Sequence, residues 1–138
     1  MSLGLYLHIP YCFSKCRYCD FYSHPGERGV PDAYVDALLR ELSRFAPEAP
    51  LQPDTLYFGG GTPSLLRPEQ AKRLIDAARP MPGAEITLEA NPETVTEESL
   101  AGFREAGVNR ISFGVQSARD TQLRTLGRPH TAKQARAA

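Results

Sequence analysis

Apolar residues form four short runs along the chain, each followed by a polar or glycine-rich turn and then by a segment with helical periodicity. The runs cover residues 3–9, 55–58, 85–89 and 110–115. Short apolar runs bounded by turn residues are typical of strands buried in a parallel sheet. The pattern therefore predicts four strands that alternate with helices.

Two of the intervening segments have a clear amphipathic pattern. Residues 31–45 place one apolar face on a helix, made of Val35, Leu38, Leu39, Leu42 and Phe45. Residues 68–78 do the same with Ala71, Leu74, Ile75 and Ala78. Because apolar residues recur every three or four positions, both segments are predicted to be helices that pack one side on the sheet.

Capping residues predict three further helices. Thr96 is a plausible N-cap of a third helix that has Leu100 and Phe103 inward and ends at Gly107. Ser117, with Asp120 three residues on, predicts a short fourth helix that ends near residue 127. Residues 131–134, with a Thr at the first position and a Gln at the last, resemble one more helix start.

Strands that alternate with helices imply an α/β fold with a parallel sheet and right-handed crossovers. Four βα units amount to half of an eight-stranded TIM-type barrel. We therefore expect residues 1–138 to form the N-terminal portion of a single domain, a partial TIM-type barrel. We expect this portion to be truncated relative to the full protein. The first unit is the longest and carries all the cysteines.

The charge balance excludes some partners. Sixteen basic and sixteen acidic side chains cancel, and 41% of the residues are hydrophobic. Without a basic patch, nucleic acid and anionic membranes are not expected as partners. No apolar stretch approaches the roughly 18 residues of a membrane span, and the N-terminus lacks the pattern of a signal peptide. A cytoplasmic location is expected, where three clustered cysteines favour metal or redox chemistry over disulfides.

Every unusual polar or glycine-rich cluster follows a predicted strand. The clusters are CFSKCRYC after the first strand, GGGTP after the second, EANP at the end of the third and GVQS at the end of the fourth. In open α/β sheets and barrels, function gathers in the loops at the carboxyl ends of the strands. These clusters are therefore expected to meet at one edge of the sheet.

Cys12, Cys16 and Cys19 have the spacing C-x3-C-x2-C. Thiolates are soft ligands that suit zinc, copper(I) or iron-sulfur clusters. A structural zinc site would need a fourth ligand, for which His8, Asp20 or His24 could serve. An iron-sulfur cluster held by three thiolates would instead leave one iron open to a substrate or cofactor. The cluster is the favoured interpretation, with zinc and plain thiols as alternatives.

The other clusters are ambiguous when taken singly. The run Gly59 to Gly61 lets a ligand approach the backbone, although a flexible turn would look the same. Alternation in the third strand puts Ile86 and Leu88 on one face and Thr87 and Glu89 on the other. Glu89 is thus either a ligand for ribose hydroxyls or a solvated surface residue. Gln116, Arg128 and Tyr6 each have an equally ordinary structural interpretation.

Together these motifs resemble the radical S-adenosylmethionine (SAM) enzymes. The stretches LYLHIPYC, YFGGGTPS, EITLEANPE and GVNRISFGVQS are similar to those of the oxygen-independent coproporphyrinogen III oxidase group and its haem chaperone relatives. The resemblance covers essentially the whole chain. It implies a 4Fe-4S cluster on Cys12, Cys16 and Cys19, with SAM chelating the fourth iron.

The resemblance also implies roles for residues around the cluster. Gly60, Gly61 and Thr62 would line the methionine end of SAM, and Tyr6 and Tyr18 would flank the cluster and cofactor. The positions that match ribose or carboxylate contacts in the family are Glu89, Gln116 and Arg128. Reduction of SAM at such a site releases methionine and a 5'-deoxyadenosyl radical, so that the cofactor carries the difficult chemistry.

One position departs from the oxidase pattern. The oxidases continue to a further cysteine, C-x3-C-x2-C-x-C, whereas this chain has Phe21 there. The ending is similar to that of the haem chaperone branch, which implies haem or porphyrin as ligand and haem-accepting proteins as partners. Oxidative decarboxylation of coproporphyrinogen is the first alternative, and a zinc-stabilised structural module is the second.

Overall fold

A computed structural model of the protein describes residues 2–26, 28–45 and 50–138. Its strands are β1 (Gly4–Ile9), β2 (Tyr11–Cys12), β3 (His24–Pro25), β4 (Thr55–Gly60), β5 (Glu85–Ala90) and β6 (Arg110–Phe113). Its α-helices are α1 (Asp32–Phe45), α2 (Pro68–Ala78), α3 (Glu97–Ala106), α4 (Asp120–Leu126) and α5 (Ala132–Ala137). Short 3-10 turns, Pro63–Leu65 and Pro92–Thr94, follow β4 and β5.

The main sheet has the order β1-β4-β5-β6, and every neighbouring pair is parallel. The register fixes which strand ends lie side by side: Ile9 is opposite Gly60, and Ala90 is opposite Phe113. The carboxyl ends of all four strands therefore meet at one edge, as the sequence predicted. This confirms the α/β class and the sequential order expected of four βα units.

The apolar faces of the helices share one core with the sheet. The predicted inward residues of α2 are 0–6% exposed, and Phe103 of α3 is 1% exposed. On α1, Val35 and Leu42 are buried, but the prediction for Phe45 is wrong because its side chain is 74% exposed. Phe45 is the last residue of α1, one turn beyond the last buried position. Among the described residues, no helix has the length and apolarity needed to cross a membrane.

The differences from the predicted boundaries that bear on the site lie at the carboxyl edge of the sheet. β4 runs on through Gly60, because its first two glycines continue the ladder with β1. β6 ends at Phe113 and α4 begins only at Asp120. The intervening chain makes two successive three-residue turns, Val115 N to Phe113 O at 3.0 Å and Ser117 N to Val115 O at 2.9 Å. These turns take up the residues predicted as strand end and helix start.

Candidate functional site

The cysteines lie on residues 12–24, here called the cysteine loop, which leaves the end of β1. The short parallel pair β2–β3 closes its base, with Tyr11 opposite His24. A backbone hydrogen bond from Cys19 N to Cys16 O at 3.0 Å folds the middle of the loop into a turn. All three thiols are free; Cys12 is buried and the other two are partly exposed. The loop thus presents three unpaired thiols at the carboxyl edge of the sheet.

A pocket of about 290 Å³ lies between the cysteine loop and the ends of β4, β5 and β6. It collects all of the predicted site residues except Tyr6. Those that line it are Cys12, Cys16, Tyr18, Cys19, Gly60, Gly61, Thr62, Glu89, Gln116 and Arg128. Lys15, Phe21, Asn91 and Ser112 line it as well. Residues that are more than a hundred positions apart in sequence therefore line one cavity.

Tyr6 is not among the described residues that line this pocket. Its side chain is 54% exposed, its ring stacks on Tyr57 at 6.0 Å, and its hydroxyl lies 3.2 Å from His8 Nδ1. Burial, and then the charge of Glu89, raise the pKa of the Tyr6 phenol. Tyr6 thus packs on the sheet face next to the site, and its contact with a cofactor stays a prediction.

The glycine run is required by the protein's own packing. A β-carbon on Gly61 would come within 2.7 Å of the Tyr11 carbonyl oxygen and 2.9 Å of Cys12 Sγ. Gly60 has φ +118°, and a β-carbon there would lie 2.6 Å from the ring of His8. Side chains at either position would collide with the cysteine loop or with β1. Glycine here lets β4 end directly beneath Cys12.

Glu89 is held in place by two donors from β4. Tyr57 donates its hydroxyl hydrogen to Glu89 Oε1 at 2.7 Å, and the Gly60 amide donates to Oε2 at 3.2 Å. Burial and the hydrogen bond to Glu89 raise the pKa of the Tyr57 phenol. The carboxylate keeps further lone pairs that face the pocket. It is therefore oriented to accept hydroxyl groups from a ligand.

Arg128 ties the far end of the chain to the cysteine loop. Its Nη1 donates to Cys16 Sγ at 3.2 Å and to the Tyr18 hydroxyl at 3.5 Å, and its Nη2 donates to Asn91 Oδ1 at 2.6 Å and to the Gly114 carbonyl. Its Nε is buried and has no hydrogen-bond partner among the described residues. A buried donor without a partner is costly, so an acceptor that the described residues do not supply would stabilise this atom.

Gln116 sits in a strained turn that a buried histidine braces. Its φ is +70°, and the hydrogen bond across it from Ser117 N to Val115 O is that of a three-residue turn. His130, which is 2% exposed, contacts the Val115 oxygen through Nε2 at 3.1 Å and Glu93 Oε2 through Nδ1 at 2.9 Å. The turn is therefore anchored to the loop after β5. Strain of this kind collects at ligand sites.

The residues around the pocket fit an iron-sulfur cluster better than a zinc ion. His8, Asp20 and His24, the candidate fourth ligands for zinc, are not among the described residues that line the pocket. No group of three or more His, Cys, Asp or Glu side chains is already gathered for metal binding in the described part of the chain. Three thiols on one pocket wall are nevertheless the donor set that a cluster takes. Ligation by the cysteines stays a prediction.

Three residues that support this site were not singled out from the sequence: Tyr57, His130 and, although it lies in the EANP cluster, Asn91. Asn91 lies two residues after Glu89, so that strand periodicity could have placed both on the same side. Tyr57 reaches Glu89 only because β4 and β5 pair with Phe58 opposite Leu88. That register cannot be read from the sequence. His130 carries no local signal, since its partners are 15 and 37 residues away.

Comparison with known protein families gives the class. The model of the radical SAM superfamily matches residues 6–138. The chain therefore belongs to the radical SAM superfamily, and the α/β fold described above is the N-terminal part of that fold. Membership implies an iron-sulfur cluster and SAM in general.

Individual relatives narrow the likeness. The chain is 46% identical to the haem chaperone HemW of Escherichia coli over 99% of its own length, and 43% identical to HemW of Mycobacterium tuberculosis over 98%. It also matches the solved structure of the radical SAM enzyme coproporphyrinogen III oxidase (HemN) from Escherichia coli with a TM-score of 0.86, at 32% identity over 99% of its length. It spans only 38% and 37% of the two HemW chains and 33% of the HemN chain.

Replacement of Gly61 by alanine is expected to impair uptake of an iron-sulfur cluster. The new β-carbon would collide with Cys12 Sγ and the Tyr11 carbonyl oxygen and would displace Cys12 from its position. Iron and sulfide content after anaerobic reconstitution is the measurement. Gly29→Ala is the matched control, since a β-carbon there meets only the Leu65 oxygen at 3.9 Å. Equal iron content in wild type and Gly61→Ala would contradict this account of the glycine run.

Proposed function

We propose that this chain is the part of a radical SAM protein that binds a 4Fe-4S cluster and SAM, and that the protein binds and transfers haem. The binding of a cluster and SAM is supported by one pocket. The cysteine loop, the end of β4, Glu89, Gln116 and Arg128 all line it. Ten of the eleven residues marked by the sequence line that one cavity. A structural module would have no reason to collect them.

Cys12, Cys16 and Cys19 would ligate the cluster, which leaves one iron for the amino and carboxylate groups of SAM. Gly60, Gly61 and Thr62 would lie along the methionine end of the cofactor, because all three line the pocket. When bound, the cluster supplies one electron to the sulfonium of SAM. The protein's contribution is to hold the cofactor and limit access of water.

Three polar side chains would orient SAM. Glu89 would accept hydrogen bonds from the ribose hydroxyls, because Tyr57 and the Gly60 amide already fix its carboxylate toward the pocket. Gln116 would contact the cofactor from the braced turn after β6. The buried Nε of Arg128 would donate to a ligand oxygen, since it has no partner among the described residues. Tyr6 and Tyr18 would flank the site.

The proposal that the protein binds and transfers haem is supported by its relatives and by the residue at position 21. The relatives at 46% and 43% identity are haem chaperones, and Phe21 stands where the oxidases have a further cysteine. Phe21 lines the pocket and is 66% exposed, so an apolar side chain is presented at its mouth. Haem-accepting proteins would be the partners, and the cytoplasm would be the location.

Oxidative decarboxylation of coproporphyrinogen III is the second candidate. The solved structure with a TM-score of 0.86 is that of a coproporphyrinogen III oxidase, which favours it. The shared fold covers only a third of that enzyme's chain. Since fold alone does not fix function, the likeness supports the cofactor site more than the substrate.

Anaerobic reconstitution with iron and sulfide is expected to load one cluster, seen as about four irons per chain and as an EPR signal after reduction. Cys16→Ala should lose the cluster because only two thiolates remain. Ser14→Ala, a neighbour on the same loop, is the control. Tight binding of a single zinc ion, with no iron uptake, would favour the structural module and refute both radical SAM functions.

Glu89→Ala is expected to weaken SAM binding with the cluster intact. Loss of hydrogen bonds to a charged acceptor is worth roughly 1.5–3 kcal/mol, or about 10- to 100-fold in Kd. Calorimetric titration of SAM into the reconstituted protein measures it. Glu85→Ala, at the opposite end of β5, is the matched control. Loss of the cluster in Glu89→Ala would mean that the role assigned to Glu89 is wrong.

Haem titration of the full-length protein, followed by absorption spectroscopy and transfer to an apo-haemoprotein, separates haem delivery from decarboxylation. Stoichiometric haem binding with no turnover of coproporphyrinogen III is the expected result, because the chain lacks the additional cysteine of the oxidases. Formation of a vinyl-bearing porphyrinogen would instead establish the oxidase activity and overturn the chaperone proposal.

A further inference from the structure

A chain of hydrogen bonds joins two of the three cysteines through Asn91. Thr62 Oγ1 donates to Cys12 Sγ at 3.5 Å, and Asn91 Nδ2 donates to Thr62 Oγ1 at 3.3 Å. At the other end of the same amide, Asn91 Oδ1 accepts from Arg128 Nη2 at 2.6 Å, and Arg128 Nη1 donates to Cys16 Sγ at 3.2 Å. Asn91 therefore hydrogen-bonds both Thr62 and Arg128, and each of these donates to a cysteine sulfur.

Arg128 determines which group donates and which accepts in each of these hydrogen bonds. A guanidinium group has only donors, so Asn91 must turn its carbonyl oxygen toward Arg128. The amide nitrogen then faces Thr62 and must donate to its hydroxyl oxygen. Thr62, 3% exposed, has one hydrogen left, and its other contact is Cys12 Sγ. Both sulfurs consequently accept hydrogen bonds. The donor and acceptor roles could not be exchanged without breaking another hydrogen bond in the series.

We infer that Asn91 is a positioning residue that sets the reduction potential of the cluster by directing hydrogen bonds from Thr62 and Arg128 to Cys12 and Cys16. The inference rests on the proposed function, since it requires the cysteines to be cluster ligands. A hydrogen bond donated to a ligating sulfur offsets negative charge and stabilises the reduced cluster more than the oxidised one. Among the described residues, the Asn91 side chain hydrogen-bonds Thr62 and Arg128, and it acts on the sulfurs through these two neighbours.

The test measures the reduction potential of the reconstituted full-length protein by EPR-monitored redox titration without SAM. Asn91→Ala should shift the potential to more negative values. At a fixed ambient potential, the ratio of reduced to oxidised cluster should fall about tenfold, which corresponds to about 59 mV for a one-electron couple. Thr62→Val, which keeps the shape and removes the hydroxyl that donates to Cys12 and accepts from Asn91, should give a smaller shift in the same direction because the hydrogen bond from Arg128 to Cys16 remains.

A double variant separates positioning from general loosening. If Asn91 acts through Thr62, the shift of Asn91→Ala with Thr62→Val will be less than the sum of the two single shifts, because the two residues share one chain of bonds. Asn109→Ala is the matched control. Asn109 bonds the Ile86 amide and the Ala84 carbonyl at the opposite end of β5, so its loss lowers the melting temperature and leaves the potential unchanged.

The outcomes are distinguishable from failure of the proposed function. An unchanged potential in Asn91→Ala with normal iron content would overturn the inference and leave cluster binding intact. An equal shift in Asn109→Ala would also overturn it. If Asn91→Ala takes up too little iron for titration, an unchanged potential in Thr62→Val refutes the inference, and a negative shift supports it. Absence of iron from the wild-type protein would refute both the inference and the proposed function.

Discussion

The close packing of β4 beneath the cysteine loop is the contact on which the site depends. A side chain at Gly61 would have no room, because the Tyr11 oxygen and Cys12 Sγ lie too close. The Gly61 amide donates to the Ile9 oxygen and the Thr62 amide donates to the Tyr11 oxygen, and these backbone hydrogen bonds join the two segments. This contact fixes the first cysteine against the rigid sheet. The other two cysteines then extend from a loop whose base is already closed by β2 and β3.

From that fixed point, the parallel sheet brings in groups that are distant in sequence. Glu89 enters from β5 and is oriented by Tyr57 on β4, and Arg128 crosses from beyond α4 to reach Cys16. Gln116 is held in a left-handed conformation by a turn that His130 anchors. The side chains of Glu89 and Arg128 are each held by partners on neighbouring strands or loops. Such preorganisation is what a site needs to bind and orient a cofactor.

The sequence predicts the strands, the helices and the common edge well because these follow from short-range periodicity. All four main strands, the buried face of α2 and the buried Phe103 of α3 are where the pattern predicts them, whereas Leu100 of α3 is only half-buried. Predictions were wrong at two places: Phe45 is exposed because α1 ends there, and residues 114–117 form turns. The roles of Tyr57 and Asn91 could not be predicted, because they depend on strand register and on Arg128, 37 residues from Asn91 in sequence.

Mössbauer spectroscopy of the protein reconstituted with Mössbauer-active iron tests most directly whether three thiolates hold a cluster with one open iron. We expect one iron site distinct from the other three, whose signal changes when SAM is added, because three cysteines supply only three ligands. Four equivalent irons that SAM leaves unchanged would contradict it. They would mean that a protein ligand completes the cluster and that the pocket beside Glu89 serves another purpose.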